Sequence, residues 1–171
     1  MDVEVTNRQT NHEIDEARLI EGVRAVWRAE GKTPAEINVA VVDADEIWRL
    51  NQRFLRHDYT TDVLSFCLEQ SPDGLSGEIV VSADMAASMA PRFGWSIGDE
   101  LLLYVIHGTL HLAGYDDQTP PDAAIMRQLE QRYLGELGVA QPTAVSGDGR
   151  VGRRAGGGLA VESLSHGGAH S

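Results

Sequence analysis

Residues 100–117 read ELLLYVIHGTLHLAGYDD, and this stretch decides how the rest of the chain is interpreted. It opens with an apolar run from Leu101 to Ile106, after which His107 and His111 lie four residues apart. An i,i+4 spacing places both imidazoles on one face of a helix, one turn apart. A helix this apolar is expected to be buried, and two buried imidazoles need partners. The spacing therefore predicts a metal pair on a buried helix.

The residues that follow the helix predict a third ligand. Gly114 ends the run and can adopt the left-handed conformation that turns the chain back. Such a turn brings Asp116 or Asp117 toward the histidines, in the pattern H-x3-H-x2-G-x2-D. Two imidazoles and a carboxylate suit Zn²⁺ with a fourth position open for water. Because an open position is typical of catalytic sites, the predicted chemistry is metal-assisted hydrolysis.

The same spacing occurs in one class of zinc peptidases, the metzincins, whose pattern is H-E-x-x-H-x-x-G-x-x-H. The glutamate after the first histidine is the general base of those enzymes, and Gly108 occupies that position here. A peptidase without this carboxylate lacks the group that carries the proton of water to the leaving amine. A zinc-dependent peptidase is therefore kept only as an alternative function.

The other patterns predict strands and helices around this central helix. Strands are expected at Val3–Val5, Ile37–Val42, residues 61–66 and residues 77–82. Helices are expected over residues 15–30, after Asp43, over Ala83–Arg92, from Ile97 and from Pro120. The turn residues at 72–74 predict that the last two strands pair antiparallel. The predicted fold is α/β (α+β), a small four-stranded mixed sheet packed with about five helices, with the metal site at the end of a buried central helix.

Composition divides the chain into a globular part and a tail. Residues 1–138 are expected to form a single metallohydrolase domain, and the Gly-rich residues 139–171 are expected to be disordered. No apolar stretch approaches the ~20 residues of a membrane span, and the first residues show no signal-peptide pattern. Cys67 is the only cysteine, which is typical of a reducing compartment. We therefore expect a cytoplasmic protein with no membrane contact.

The net charge of −12 argues against unspecific binding of nucleic acid. One group of basic residues runs against this trend: Arg49, Arg53 and Arg56 are spaced i, i+4 and i+7 on the second predicted helix. This stripe is either a solvated helix face or a contact for a phosphate backbone. An RNA substrate would require such a local patch, a metal, or a partner that supplies positive charge.

The central motif and three other blocks resemble a known family. Residues 107–116 read HGTLHLAGYD, and the earlier blocks are Leu50-Asn51 with Phe54, residues 61–66 and residues 77–82. Over about residues 1–138 they are similar to the YbeY family of bacterial rRNA-maturation endoribonucleases. The resemblance implies one zinc ion, single-stranded rRNA as substrate, maturation of the 3′ end of small-subunit rRNA, and ribosome quality control. It implies the ribosome or small-subunit proteins as partners.

The resemblance assigns His107 and His111 as the first two metal ligands. The third position usually holds a histidine in this family, and here it holds Asp117. Aspartate still coordinates zinc, but its negative charge is expected to lower the Lewis acidity of the ion. Another possibility is a non-catalytic ribosome-assembly factor with a structural zinc, which a three-ligand site disfavours because one coordination position stays open.

A second departure from the family concerns arginine. The family often has an arginine directly after the aromatic residue of the second-helix block, and here Leu55 holds that position, with Arg56 next. Arg56 and Arg53 are therefore the candidates for binding the RNA backbone. Arg56 and Glu78 are the candidates for a catalytic role, although Glu78 is equally well explained as an exposed strand residue. The sequence names no general base.

Overall fold

A computed structural model of the chain describes residues 1–55, 62–141 and 160–163. The strands are β1 (Asp2–Asn7), β2 (Ala35–Val42), β3 (Val63–Ser71), β4 (Gly74–Ser82) and β5 (Ala160–Ser163). The helices are α1 (Glu16–Glu30), α2 (Ala44–Leu55), α3 (Ala83–Met89), α4 (Ile97–Leu112) and α5 (Pro120–Glu136). A short 3-10 helix, Ala90–Phe93, continues α3.

The described strands form one mixed sheet in the order β1-β2-β4-β3-β5. β2 pairs parallel with both β1 and β4, whereas β3 pairs antiparallel with β4 and parallel with β5. A tight turn joins β3 to β4, with Ser71 opposite Gly74. The parallel pairing of β2 with β4 requires a crossover, and α2 and β3 lie within it.

Alternation of side chains along the strands gives the sheet two packed faces. One face packs against α1 and α4 and carries the larger core, including Ile37, Val39, Ile79 and Val81. The other face carries Ala40, Val42, Leu64, Phe66 and Val80, packed against Ile47 of α2. The helices α4 and α2 therefore lie on opposite sides of the sheet.

Helix α4 is buried at every position from Glu100 to Leu112. Its start is fixed by a capping box, in which Asp99 N donates to Ser96 Oγ and Ser96 N donates to Asp99 Oδ2, each at 3.1 Å. Arg18 of α1 donates to Asp99 Oδ1 at 2.6 Å, so the same carboxylate ties α4 to α1. Despite the apolar surface of α4, no helix in the described part of the chain is long and apolar enough to cross a membrane.

The carboxylate of Asp99 makes the stability of this helix start depend on pH. Burial raises the pKa of Asp99, but the bonds from Arg18 and Ser96 lower it more, so the net pKa lies below 3.8. A carboxyl group with a depressed folded-state pKa stabilises the fold above its unfolded pKa, and this contribution is lost as the pH falls through the folded pKa. We expect Asp99→Asn to cost about 1 kcal/mol at neutral pH.

Urea unfolding of wild type and Asp99→Asn at neutral and acid pH measures this contribution. The advantage of the wild type should shrink as the pH falls below 3.8, the ordinary value for this carboxyl group. An advantage that stays constant across this range would show that the charge of Asp99 does not stabilise the fold.

The predicted fold class is confirmed, with β1–β4 as the expected mixed sheet and five α-helices around it. The helix predicted for Ala83–Arg92 is divided, because α3 ends at Met89 and the 3-10 helix that follows contains Pro91, which has no N–H for an α-helical bond. The strand β5 lies in the tail that the composition predicts to be disordered. The remainder of that tail, after residue 141, lies outside the described residues.

A candidate metal centre at the end of helix α4

Helix α4 presents His107 and His111 on the same side of its last turns. Their Nε2 atoms are 3.2 Å apart, and the rings meet edge to face with centroids 4.7 Å apart. The two residues are only 4% and 6% exposed, respectively. The structure therefore brings the two imidazoles together at a buried position, as their spacing predicts.

A Schellman turn ends α4 and reverses the chain. Gly114 N donates to His111 O and Tyr115 N donates to Leu110 O, both at 3.0 Å. Gly114 has φ +108°, in the region that favours glycine. This turn is the one that Gly114 predicts, and it directs the next residues back toward the histidines.

The turn places Asp117, rather than Asp116, beside the two imidazoles. Asp117 Oδ2 lies 3.7 Å from His107 Nε2 and 4.0 Å from His111 Nε2. Asp116 is exposed, and its Oδ1 accepts a bond from Asp117 N at 2.7 Å. The spacing allowed either aspartate as the third ligand, and the family resemblance assigned Asp117. In the structure, Asp117 is the aspartate that lies with the two histidines.

The three side chains have the donor chemistry and the spacing of a divalent-metal site. Their ligand atoms all lie within 4.8 Å of one another. Tetrahedral zinc with bonds of about 2.0–2.1 Å separates two nitrogen ligands by about 3.3 Å, and the observed Nε2–Nε2 separation is 3.2 Å. Asp117 Oδ2, at 3.7 and 4.0 Å from the two nitrogens, lies a few tenths of an ångström beyond this separation. His107, His111 and Asp117 therefore fit a metal ion.

Glu130 of α5 supports this arrangement from outside the cluster. Its Oε2 atom makes a short hydrogen bond with His107 Nδ1. Because the carboxylate accepts from Nδ1–H, the lone pair of His107 lies on Nε2, which faces His111 and Asp117. Glu130 is 2% exposed, so this contact is shielded from water. A carboxylate bonded to the far nitrogen of a metal-binding histidine fixes the tautomer and the orientation of the ring.

Glu130 was missed by the sequence analysis, although the sequence carries a signal for it. It lies four residues after Met126 and three residues before Tyr133, and all three positions are buried on one stripe of α5. A glutamate in an apolar helical stripe is rarely buried without a partner. The stripe therefore could have indicated Glu130 as a functional residue, but not which histidine it contacts.

Gly108 lies where α4 packs closely against the sheet. A Cβ atom at this position would lie 2.7 Å from Ile79 Cγ2 and 2.9 Å from Ser65 Oγ. Ser65 Oγ also donates to Gly108 O at 3.1 Å. The position that holds a glutamate base in metzincins therefore faces the packed sheet here, and no side chain fits between the helix and the strands.

The structure places the other candidate residues apart from this cluster. Glu78 lies on the face of β4 opposite Ile79, and its Oε2 accepts a bond from Asn38 Nδ2 at 3.1 Å. Arg53 is an exposed residue of α2, on the far side of the sheet from α4. Arg56 lies outside the described residues. The cluster is thus formed by α4 and the turn after it, with Glu130 of α5 bonded to it from outside.

Comparison with known proteins identifies the family. The family model for endoribonuclease YbeY matches residues 4–138 of this chain. The chain belongs to the YbeY endoribonuclease family. The matched span contains α1 to α5 and every residue of the candidate metal centre, so the resemblance seen in the central motif is confirmed over the whole globular part.

YbeY relatives match most of this chain and most of their own length. The endoribonuclease YbeY of Salinibacter ruber is 38% identical over 135 residues, which cover 74% of this chain and 86% of the relative. The endoribonuclease YbeY of Chlorobaculum tepidum is 41% identical over 128 residues, which cover 75% of this chain and 93% of the relative. The solution structure of TM1509 from Thermotoga maritima matches with a TM-score of 0.54 at 31% identity, covering 79% of this chain and 88% of that one. These matches show that the YbeY fold extends over the part of the chain that holds the cluster.

Proposed function

We propose that this chain is a zinc-dependent endoribonuclease that cleaves single-stranded ribosomal RNA. The observation that carries the proposal is the convergence of His107, His111 and Asp117 in a chain whose relatives are named as endoribonucleases. Cleavage by hydrolysis adds water to phosphorus and breaks one P–O bond. A divalent ion held by the three ligands would supply Lewis acidity toward the phosphate and the attacking water.

Other residues of the chain have supporting roles in this proposal. Glu130 keeps the Nε2 lone pair of His107 directed into the cluster. Arg53 and Arg56 are the proposed contacts for the RNA backbone, since guanidinium groups pair with phosphates through two parallel hydrogen bonds. Because Arg53 lies on the other side of the sheet from α4, the phosphate that it binds is not the one at the metal centre. Glu78 receives no catalytic role, because its carboxylate lies on the other side of β4 and is bonded to Asn38. The general base remains unassigned among the residues of the chain.

The cellular role follows the family resemblance. We propose that the enzyme acts in the cytoplasm, matures the 3′ end of small-subunit rRNA and contributes to ribosome quality control. A chain with a net charge of −12 repels free RNA, so the ribosome or a small-subunit protein is the partner that presents the substrate. Residues 1–138 form the catalytic domain in this proposal, and residues 139–171 follow it as a Gly-rich tail, from which β5 joins the edge of the sheet.

Two alternative functions are less well supported. A metzincin-like peptidase requires a carboxylate after the first histidine, and the close contacts of Gly108 with Ile79 and Ser65 leave no room for one. An assembly factor with a structural zinc requires a closed coordination shell. The cluster offers three ligands among the described residues, which leaves a position for substrate or water.

Metal removal followed by metal restoration tests the proposed function. We expect the purified protein to cleave a single-stranded RNA oligonucleotide, to lose this activity after chelation, and to regain it with one equivalent of Zn²⁺. The same preparations should leave a matched RNA duplex and an unfolded peptide intact. Cleavage that survives complete chelation would exclude a metal-dependent nuclease, and peptide hydrolysis that returns with zinc would favour the peptidase.

A further inference from the structure

One carboxylate at the end of α1 joins two elements that are far apart in the sequence. Glu30 accepts a hydrogen bond from Tyr115 Oη to Oε1 at 2.7 Å, and a second, short one from Tyr133 Oη to Oε2. Each oxygen of the carboxylate therefore serves one tyrosine. The two tyrosines lie 85 and 103 residues after Glu30, so these are tertiary contacts and not local ones.

Each tyrosine belongs to an element that completes the metal centre. Tyr115 directly follows the glycine of the Schellman turn and lies two residues before Asp117. Tyr133 lies on α5, three residues after Glu130, and is 1% exposed. The Glu30 carboxylate thus holds both the turn that carries the third ligand and the helix that carries the partner of His107.

The two contacts are charge-assisted hydrogen bonds. Burial raises the pKa of Glu30, but the bonds from Tyr133 and Tyr115, together with the nearby charge of Arg132, lower it more, so the net pKa lies below 4.5. The carboxylate is therefore ionised at neutral pH, and hydrogen bonds to an ionised acceptor are about twice as strong as neutral ones. Burial and the Glu30 carboxylate raise the pKa of Tyr133, so its hydroxyl remains a donor.

We infer that Glu30 is a positioning residue of the metal centre: through Tyr115 and Tyr133 it fixes the Asp117 turn and α5, and so sets the affinity for the divalent ion without being a ligand. A ligand carried by a turn loses conformational freedom when it binds a metal. Because the Glu30 contacts order this turn in advance, less of that cost falls on metal binding. The inference rests on the metal site of the proposed function.

Three substitutions weaken the contacts while preserving side-chain shape. Tyr115→Phe and Tyr133→Phe each remove one hydrogen bond, and Glu30→Gln removes the negative charge and one of the two acceptor oxygens. Arg132→Gln is the matched control, because Arg132 lies 5.4 Å over the Tyr133 ring and affects the charge of Glu30, yet makes neither of the two hydrogen bonds. Zn²⁺ and Co²⁺ affinities are measured by competition with a chromophoric chelator, and the absorption spectrum of the Co²⁺ form reports the ligand geometry. If Glu30→Gln does not fold, Tyr115→Phe, which removes a single oxygen atom, carries the test.

We expect the Tyr115→Phe and Glu30→Gln variants to bind metal about tenfold more weakly than wild type, as outer partners of metal ligands usually do. The Co²⁺ spectrum should change. In the double variant Tyr115→Phe/Glu30→Gln, the loss of affinity should be smaller than the sum of the two single losses, because both substitutions act on the same group of contacts. Arg132→Gln should keep the wild-type affinity and spectrum.

Metal affinity separates a positioning role from a role in stability alone. If the variants lower the melting temperature of the metal-free protein but keep the wild-type affinity and Co²⁺ spectrum, the inference is wrong. If the wild type takes up no metal, both the metal centre of the proposed function and this inference are wrong. If the wild type binds metal but cleaves no RNA, the proposed nuclease function is wrong and the inference about Glu30 still holds.

Discussion

We expect His111→Ala to abolish metal binding and RNA cleavage together. His111 supplies one of three ligand atoms that lie within 4.8 Å of one another, and its removal leaves one imidazole and one carboxylate. Loss of an outer partner already costs about 10–100-fold in metal affinity, so loss of a ligand should cost more than about 100-fold. Zinc content after dialysis, chelator competition and cleavage of a single-stranded RNA oligonucleotide measure the effect.

His12→Ala is the matched control for this substitution. His12 lies outside the cluster, and its Nε2 atom contacts Asp84 Oδ1 at 3.0 Å. The substitution therefore also removes an imidazole that faces a carboxylate. This variant should keep its metal and its cleavage activity. If His111→Ala lost its metal and still cleaved RNA at the wild-type rate, the metal would be structural and the nuclease mechanism proposed above would be wrong.

The largest effect on stability is expected for Gly108→Glu. A Cβ atom alone would already approach Ile79 Cγ2 to 2.7 Å, and the rest of the side chain would force a carboxylate between α4 and the sheet. Overpacking of a core costs about 1–3 kcal/mol, and burial of an unpaired charge adds more. We expect a loss of at least about 3 kcal/mol in the free energy of unfolding, measured by urea denaturation.

Gly135→Glu provides a matched control for the same change in a helix. Gly135 lies in α5, and a Cβ atom there would have nothing within 4 Å. Since glycine inside a helix costs about 1 kcal/mol relative to alanine, this variant should be as stable as wild type or slightly more stable. A stable Gly108→Glu protein that hydrolysed peptides would revive the peptidase hypothesis, which the packing of Gly108 now argues against.

The core of the metal centre could be predicted because its signals are local. His107 and His111 are related by one helical turn, and Gly114 reverses the chain a few residues later, so short-range geometry indicates where the third ligand lies. The capping box of Ser96 and Asp99 could be predicted for the same reason. In each case, the partners lie within one or two helical turns of each other.

The partners of the supporting residues could not be predicted, because they depend on tertiary packing. Glu130 contacts a histidine that lies 23 residues away, and Glu30 contacts a tyrosine 103 residues away. A glutamate on a helix is usually solvated, and nothing near either residue names its partner. For Glu78 the sequence left a catalytic role and an exposed strand position equally open, and only the sheet pairing places its carboxylate beside Asn38.

The burial of α4 has a consequence for how a bound ion could exchange with solvent. The amides of residues 100–112 lie in a fully buried helix, so their hydrogen exchange should require opening of the whole domain. Asp117, by contrast, lies in a turn between the exposed residues Asp116 and Gln118. His107 and His111 thus lie on a buried helix, whereas Asp117 lies in a turn beside exposed residues. In the proposed metal centre, a bound ion would therefore leave through a local movement of the turn, at a rate that is independent of global unfolding.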